Sequence, residues 1–167
     1  LLNYIFYRYQ IFKAMDAVDS TPGTVYFALS ITILFALFWR TTGVDRAHLA
    51  AAAVMAMTLG DGMASIVGQS LVRHRYTLSG AAKSWEGTAA MAGFSLLSIL
   101  LTLALLPGSP LSPNSVPLSA GAVILMTLIG TAVATAAESA SPKGTDNLSV
   151  PLLTGLVLYL LSLLGLR

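Results

Sequence analysis

Cysteine is absent, charge is scarce and histidine occurs only twice in these 167 residues. Without cysteine there is no thiolate chemistry and no zinc–sulfur site, and the sequence is silent on redox compartment. No Ser-His-Asp arrangement and no metal-ligand pair of histidines is present. Neither a Walker loop nor a kinase-type Gly-rich loop occurs, so an ordinary ATP site is not supported. No cleavable signal is visible. Charged residues make up 10% of the chain. That is less than half of what a soluble domain carries, too little polar surface for a dissolved monomer. The net charge of +2 and pI near 9.1 come from scattered loop residues. With no basic stripe or basic helix, nucleic acid is excluded as a partner.

What the chain has instead is long uncharged runs: Ser20 to Trp39, Gly87 to Ala137 and Asn147 to Leu166. A helix crosses the hydrocarbon in roughly 20 residues, so these runs are long enough to span. In lipid the backbone must satisfy itself, which leaves helices or closed barrels. Continuous rather than alternating apolarity selects helices. The expected fold is all-α, a polytopic transmembrane helix bundle of about five spans. It forms a single integral membrane domain over 1–167, with membrane lipids as its surroundings.

The spans are expected at about Thr24–Trp39, Ala47–Ser70, Ser84–Leu106, Val116–Ala140 and Ser149–Leu166. Leu1 to Met15 mixes aromatic and basic residues and reads as an interfacial or partial helix. Because the chain begins on Leu inside such an element, an N-terminally truncated fragment is expected. Gly60, Ala64 and Gly68 recur every four residues, a small-residue face that lets another helix approach closely. Val72 to Lys83 reads as a polar loop, Pro107 to Ser115 as a turn, and Pro151 as a first-turn proline. Counting crossings puts Lys13, Arg73, Arg75, Lys83 and Lys143 on one face and Arg40, Arg46 and Arg167 on the other. The positive-inside bias makes the first face cytoplasmic or its equivalent.

Asp61, Glu86, Glu138, Asp146 and Asn147 gather at that same face with Lys83, Lys143, Arg73 and Arg75. An ionisable group at membrane depth costs a few kcal/mol, so it is paired or functional. Asp61, flanked by glycines inside an apolar run, suits Mg²⁺, an ion held by carboxylates together with phosphate oxygens. The alternative is an Asp satisfied by backbone or a Lys. Lys83-Ser84-Trp85-Glu86-Gly87 opens a span, and a helix N-terminus suits phosphate. The plainer reading makes Ser84 an N-cap, Lys83 a snorkelling cation and Trp85 part of the aromatic belt. Asp146 or Asn147 would serve equally as a cap for the last helix. Glu138 follows a run of small residues and is expected to point into the bundle. Arg73, His74 and Arg75 read first as topology-setting charges. His48 reads as interfacial. A transporter or channel would spread its charges along a path, whereas here they cluster at one face.

Three motifs in order carry a resemblance: Gly60-Asp61-Gly62-Met63-Ala64-Ser65-Ile66-Val67-Gly68, then Lys83-Ser84-Trp85-Glu86-Gly87, then Glu138 through Ser141-Pro142 to Asp146-Asn147-Leu148-Ser149-Val150-Pro151-Leu152. From about Pro22 onward the chain resembles the phytol kinase branch of the CTP-dependent polyprenol and diacylglycerol kinase family. The first two motifs also resemble CDP-diacylglycerol synthase, but the short Asp146-Asn147-Leu148 motif favours the kinase. An earlier helix with an Arg-Lys and His pattern, usual in the family, has no match here. The resemblance implies a polytopic enzyme that phosphorylates a lipid alcohol such as phytol, with CTP as co-substrate and a divalent metal, in a bacterial, cyanobacterial or plastid membrane. On that basis Asp61 and Asp146 are expected to hold Mg²⁺. Lys83, Ser84, Arg75, Lys143 and Asn147 are expected to bind nucleotide phosphates. Glu138 is expected to orient Asn147 or Lys143 or to take the alcohol proton. A cytidylyltransferase making a CDP-lipid is the enzymatic alternative.

Overall fold

The computed structural model describes residues 23–39, 45–71, 73–142 and 144–165. Lys143 and the expected N-terminal interfacial helix lie outside the described residues. Helix α1 spans Gly23–Phe38, 16 residues and apolar. Helix α2, Ala47–Met55, runs through a π-helical segment, Ala56–Asp61, into α3, Gly62–Ser70. A hairpin of β1, Arg75–Leu78, and β2, Ala81–Ser84, follows. Helices α4 (Trp85–Leu105), α5 (Ala120–Ala140) and α6 (Asp146–Leu163) complete the order. Among the described residues, four units are long and apolar enough to cross a membrane: Ala47–Ser70, α4, α5 and α6. The chain is therefore a multi-pass, all-α membrane bundle.

Local chemistry sets the boundaries. Asp45 Oδ1 accepts from the Ala47 amide at 2.9 Å where α2 begins. Ser84 Oγ accepts from Gly87 N at 3.1 Å and Ser119 Oγ from Ala122 N at 3.3 Å, starting α4 and α5. The fourth span starts at Ala120 rather than Val116, because Pro117 has no amide and turns Val116 away from helical geometry. The last span starts at Asp146, three residues before the expected Ser149. Pro151 therefore stands inside the helix, beyond its first turn.

Helix α4 packs along α5 and the α2–α3 unit, α5 along α6, and α1 against α6 and α2. The small-residue face does bring backbones together. A Cβ added at Gly87 would lie 3.4 Å from Gly68 Cα and 3.0 Å from the Ala64 carbonyl oxygen. Gly60 faces Met91 and Ser95 in the same crossing. The π segment widens the helix just before Asp61, and Ser95 Oγ donates to the Ala56 carbonyl there at 3.3 Å. Met91, Ile99, Leu103, Met126, Val150 and Leu158 fill the core. His48, in the first turn of α2, is buried.

Candidate active site

Residues 73–83 are not a plain polar loop. They hold an antiparallel hairpin in register Arg75↔Ser84 to Leu78↔Ala81. Its turn, Ser79-Gly80, has positive φ at both residues, 52° and 77°. That is the geometry of a two-residue primed turn, which glycine eases. The hairpin is strapped to the start of α4. The Trp85 amide donates to the His74 carbonyl at 3.1 Å. His74 Nδ1 and Glu86 Oε1 lie 2.8 Å apart. The Tyr76 hydroxyl meets Thr88 Oγ1 at 2.7 Å, and the Tyr76 ring tilts against Trp85 with centroids 5.1 Å apart. Glu86 thus serves the strap, and His74 is more than a topology-setting charge.

The strapped hairpin carries Lys83 onto the end of α5. Lys83 Nζ donates to Glu138 Oε1 at 2.6 Å and also to the Glu138 carbonyl. Their side chains are only 11% and 9% exposed. A buried ion pair needs such close geometry to offset desolvation, and losing one partner strands the other. Glu138 points into the bundle, as expected, and is paired with Lys83; of the two partners expected for it, Lys143 lies outside the described residues and Asn147 makes no bond to it.

Asp61, Arg75, Lys83, Ser84, Glu138 and Asp146 line one cavity of about 560 Å³. Asp61 lies within electrostatic reach of Asp146, Glu138 and Lys83. Five elements therefore converge: the π segment, β1, β2, α5 and the start of α6. Ser84 lines the cavity while its hydroxyl caps α4. Asp146 Oδ1 accepts from the Asn147 amide at 3.0 Å, but Asn147 is not among the lining residues. Trp85 is exposed, as a belt residue would be. Sequence reading passed over Ser65, Gln69 and Thr88, which also line the cavity. Their signal is position: Ser65 and Gln69 follow Asp61 at four-residue steps.

Among the described residues, no three His, Asp or Glu side chains form a protein-only metal set. Two carboxylates beside a lysine fit the way Mg²⁺ is held, by one or two carboxylates together with substrate phosphates. Beyond Asp61 the described spans carry no Asp, Glu, Lys or Arg until Asp45 and Arg46 at the far end. A charge-lined path across the membrane is therefore missing from the described residues.

Over 156 residues, 92% of this chain, the sequence is 36% identical to a phytol kinase of the cyanobacterium Synechocystis sp.. The chain spans 60% of that relative's length. No protein-family model matches the chain. No solved structure matches it.

Proposed function

Starting from a chain that is a phytol kinase-like relative, we propose that it forms the membrane-embedded catalytic core of a lipid-alcohol kinase. The enzyme transfers the γ-phosphoryl group of CTP to phytol or a similar prenyl alcohol at the cytoplasmic face. The observation that carries this reading is the buried Lys83–Glu138 pair set beside Asp61 and Asp146 in one cavity. The choice of CTP rests on the sequence resemblance alone, and that of a prenyl acceptor on the resemblance and on the relative's name, phytol kinase.

Phosphoryl transfer needs positioning and charge neutralisation more than covalent chemistry. Asp61 and Asp146 would hold Mg²⁺, which when bound supplies charge neutralisation on the phosphate oxygens. Glu138 fixes the Lys83 ammonium, so that a compact positive charge faces the cavity. Arg75, on the hairpin, adds a second cation at the same cavity. Ala64, Gly68, Ala81 and Ala82 in the lining carry no bulky side chain, leaving room for an alcohol entering beside the nucleotide.

The test is product analysis with γ-labelled CTP, Mg²⁺ and phytol or geranylgeraniol. The reading expects label in the lipid and CDP in solution. Label in pyrophosphate with cytidine on the lipid would replace it with a cytidylyltransferase.

A further inference from the structure

The inner cavity is taken up by the metal and phosphate reading, but its outer part is not. Asp61, the last residue of the π segment, and Ser65 and Gln69 of α3 are spaced by four along one continuous helix, so they share one face of it. At 1.5 Å per residue, Gln69 lies about 12 Å along the axis from Asp61. That matches the reach of a nucleoside triphosphate from its outer phosphate to its base. Gln69 Nε2 donates to Ser65 Oγ at 3.0 Å. One N–H and the amide oxygen of Gln69 remain, an adjacent donor and acceptor on a neutral group. Gln69 is the sole carboxamide among the described lining residues, and Gly80 of the hairpin turn with Ala81 and Ala82 of β2 lines the same cavity with little side-chain bulk.

We propose that Gln69, oriented by Ser65, reads the hydrogen-bonding edge of a pyrimidine base at the cavity mouth and sets the nucleotide preference. The inference rests on the inner cavity being the metal–triphosphate site. Cytosine presents an amino donor beside a ring-nitrogen acceptor. Uracil presents the inverse, a carbonyl acceptor beside an N–H donor. An amide held in one orientation matches one base and opposes the other, whereas an amide free to turn over serves both. Ser65 is thus a positioning residue for Gln69.

The experiment measures kcat/KM for CTP, UTP and ATP with the protein in lipid nanodiscs, comparing wild type with Gln69→Leu, Gln69→Glu and Ser65→Ala. Wild type is expected to favour CTP over UTP. Gln69→Leu should cut that ratio by roughly tenfold or more, because a site built to hydrogen-bond loses discrimination with its polar group. Gln69→Glu, which removes the donor but keeps the shape, should cut it too. Ser65→Ala should lower the ratio less, chiefly through faster turnover of UTP. A CTP/UTP ratio unchanged in both Gln69 variants would overturn the inference, whether or not overall turnover falls. So would a wild type that turns over all bases alike, while leaving the proposed kinase intact. A wild type that turns over no nucleotide would refute the kinase reading and this inference with it.

Discussion

Two connections of similar length close the two ends of the bundle, and they are built differently. The 73–84 connection reaches outward: His74 and Tyr76 bind α4, and Lys83 binds α5. The 106–119 connection binds itself. Gly108 N donates to the Ser112 carbonyl at 3.1 Å, and the Ser112 and Ser115 hydroxyls lie 2.8 Å apart. It holds no charged residue. At one end the loop spends its polar groups on holding a cation against the buried Glu138 carboxylate; at the other it only satisfies itself. The contrast teaches that the bundle needs no charge to turn a corner. Charges at the first end therefore call for a role beyond closure.

The contrast is broken most sharply by neutralising the carboxylates. Asp61→Asn and Asp146→Asn are each expected to lower turnover on the order of a hundredfold or more, since a bound metal contributes several kcal/mol of charge stabilisation. Thermal unfolding in detergent should change little. Near-normal turnover in either folded variant would remove that residue from the site.

A smaller effect on turnover, but a larger one on stability, is expected from Lys83→Ala. It strands a buried Glu138, a change that costs about 3–5 kcal/mol when one partner of a buried pair is removed. Adding Glu138→Gln to Lys83→Met should recover most of that stability without recovering activity. If the double variant regains activity, the pair is only structural. Lys83→Arg should restore activity in part, because a planar fork does not replace a compact ammonium.

At the far end, Ser112→Ala removes one side-chain hydrogen bond of the turn. It should cost about 1 kcal/mol of stability and leave kcat/KM for CTP unchanged. A loss of activity there would erase the distinction between the two ends.

The helical bundle and the order of its helices, the small-residue face through Gly60, Ala64 and Gly68, and the inward Glu138 were legible because each follows from local apolarity or spacing, although of the five expected spans the first, Gly23–Phe38, is a shorter helix than the other four. The hairpin was not. Tyr76-Thr77-Leu78 and Ala81-Ala82-Lys83 are too short for a strand period to stand out, although Ser79-Gly80 is a turn signal. The Lys83–Glu138 pair joins residues 55 apart in sequence, and nothing local announces it. The π segment was hidden because its residues, Ala56 to Asp61, continue the helical pattern, and the Ser95 hydroxyl at its carbonyl comes from another helix. Ser84 fitted a cap and a phosphate ligand equally by sequence; the Gly87 amide is where its hydroxyl is engaged.

The most direct measurement is equilibrium binding of CTP to the purified protein with and without Mg²⁺, by calorimetry, in wild type, Asp61→Asn and Asp146→Asn. The account predicts saturable binding that needs Mg²⁺ and weakens by about tenfold or more in each variant. Equal affinity in all three proteins, or binding undiminished by removing Mg²⁺, would contradict it.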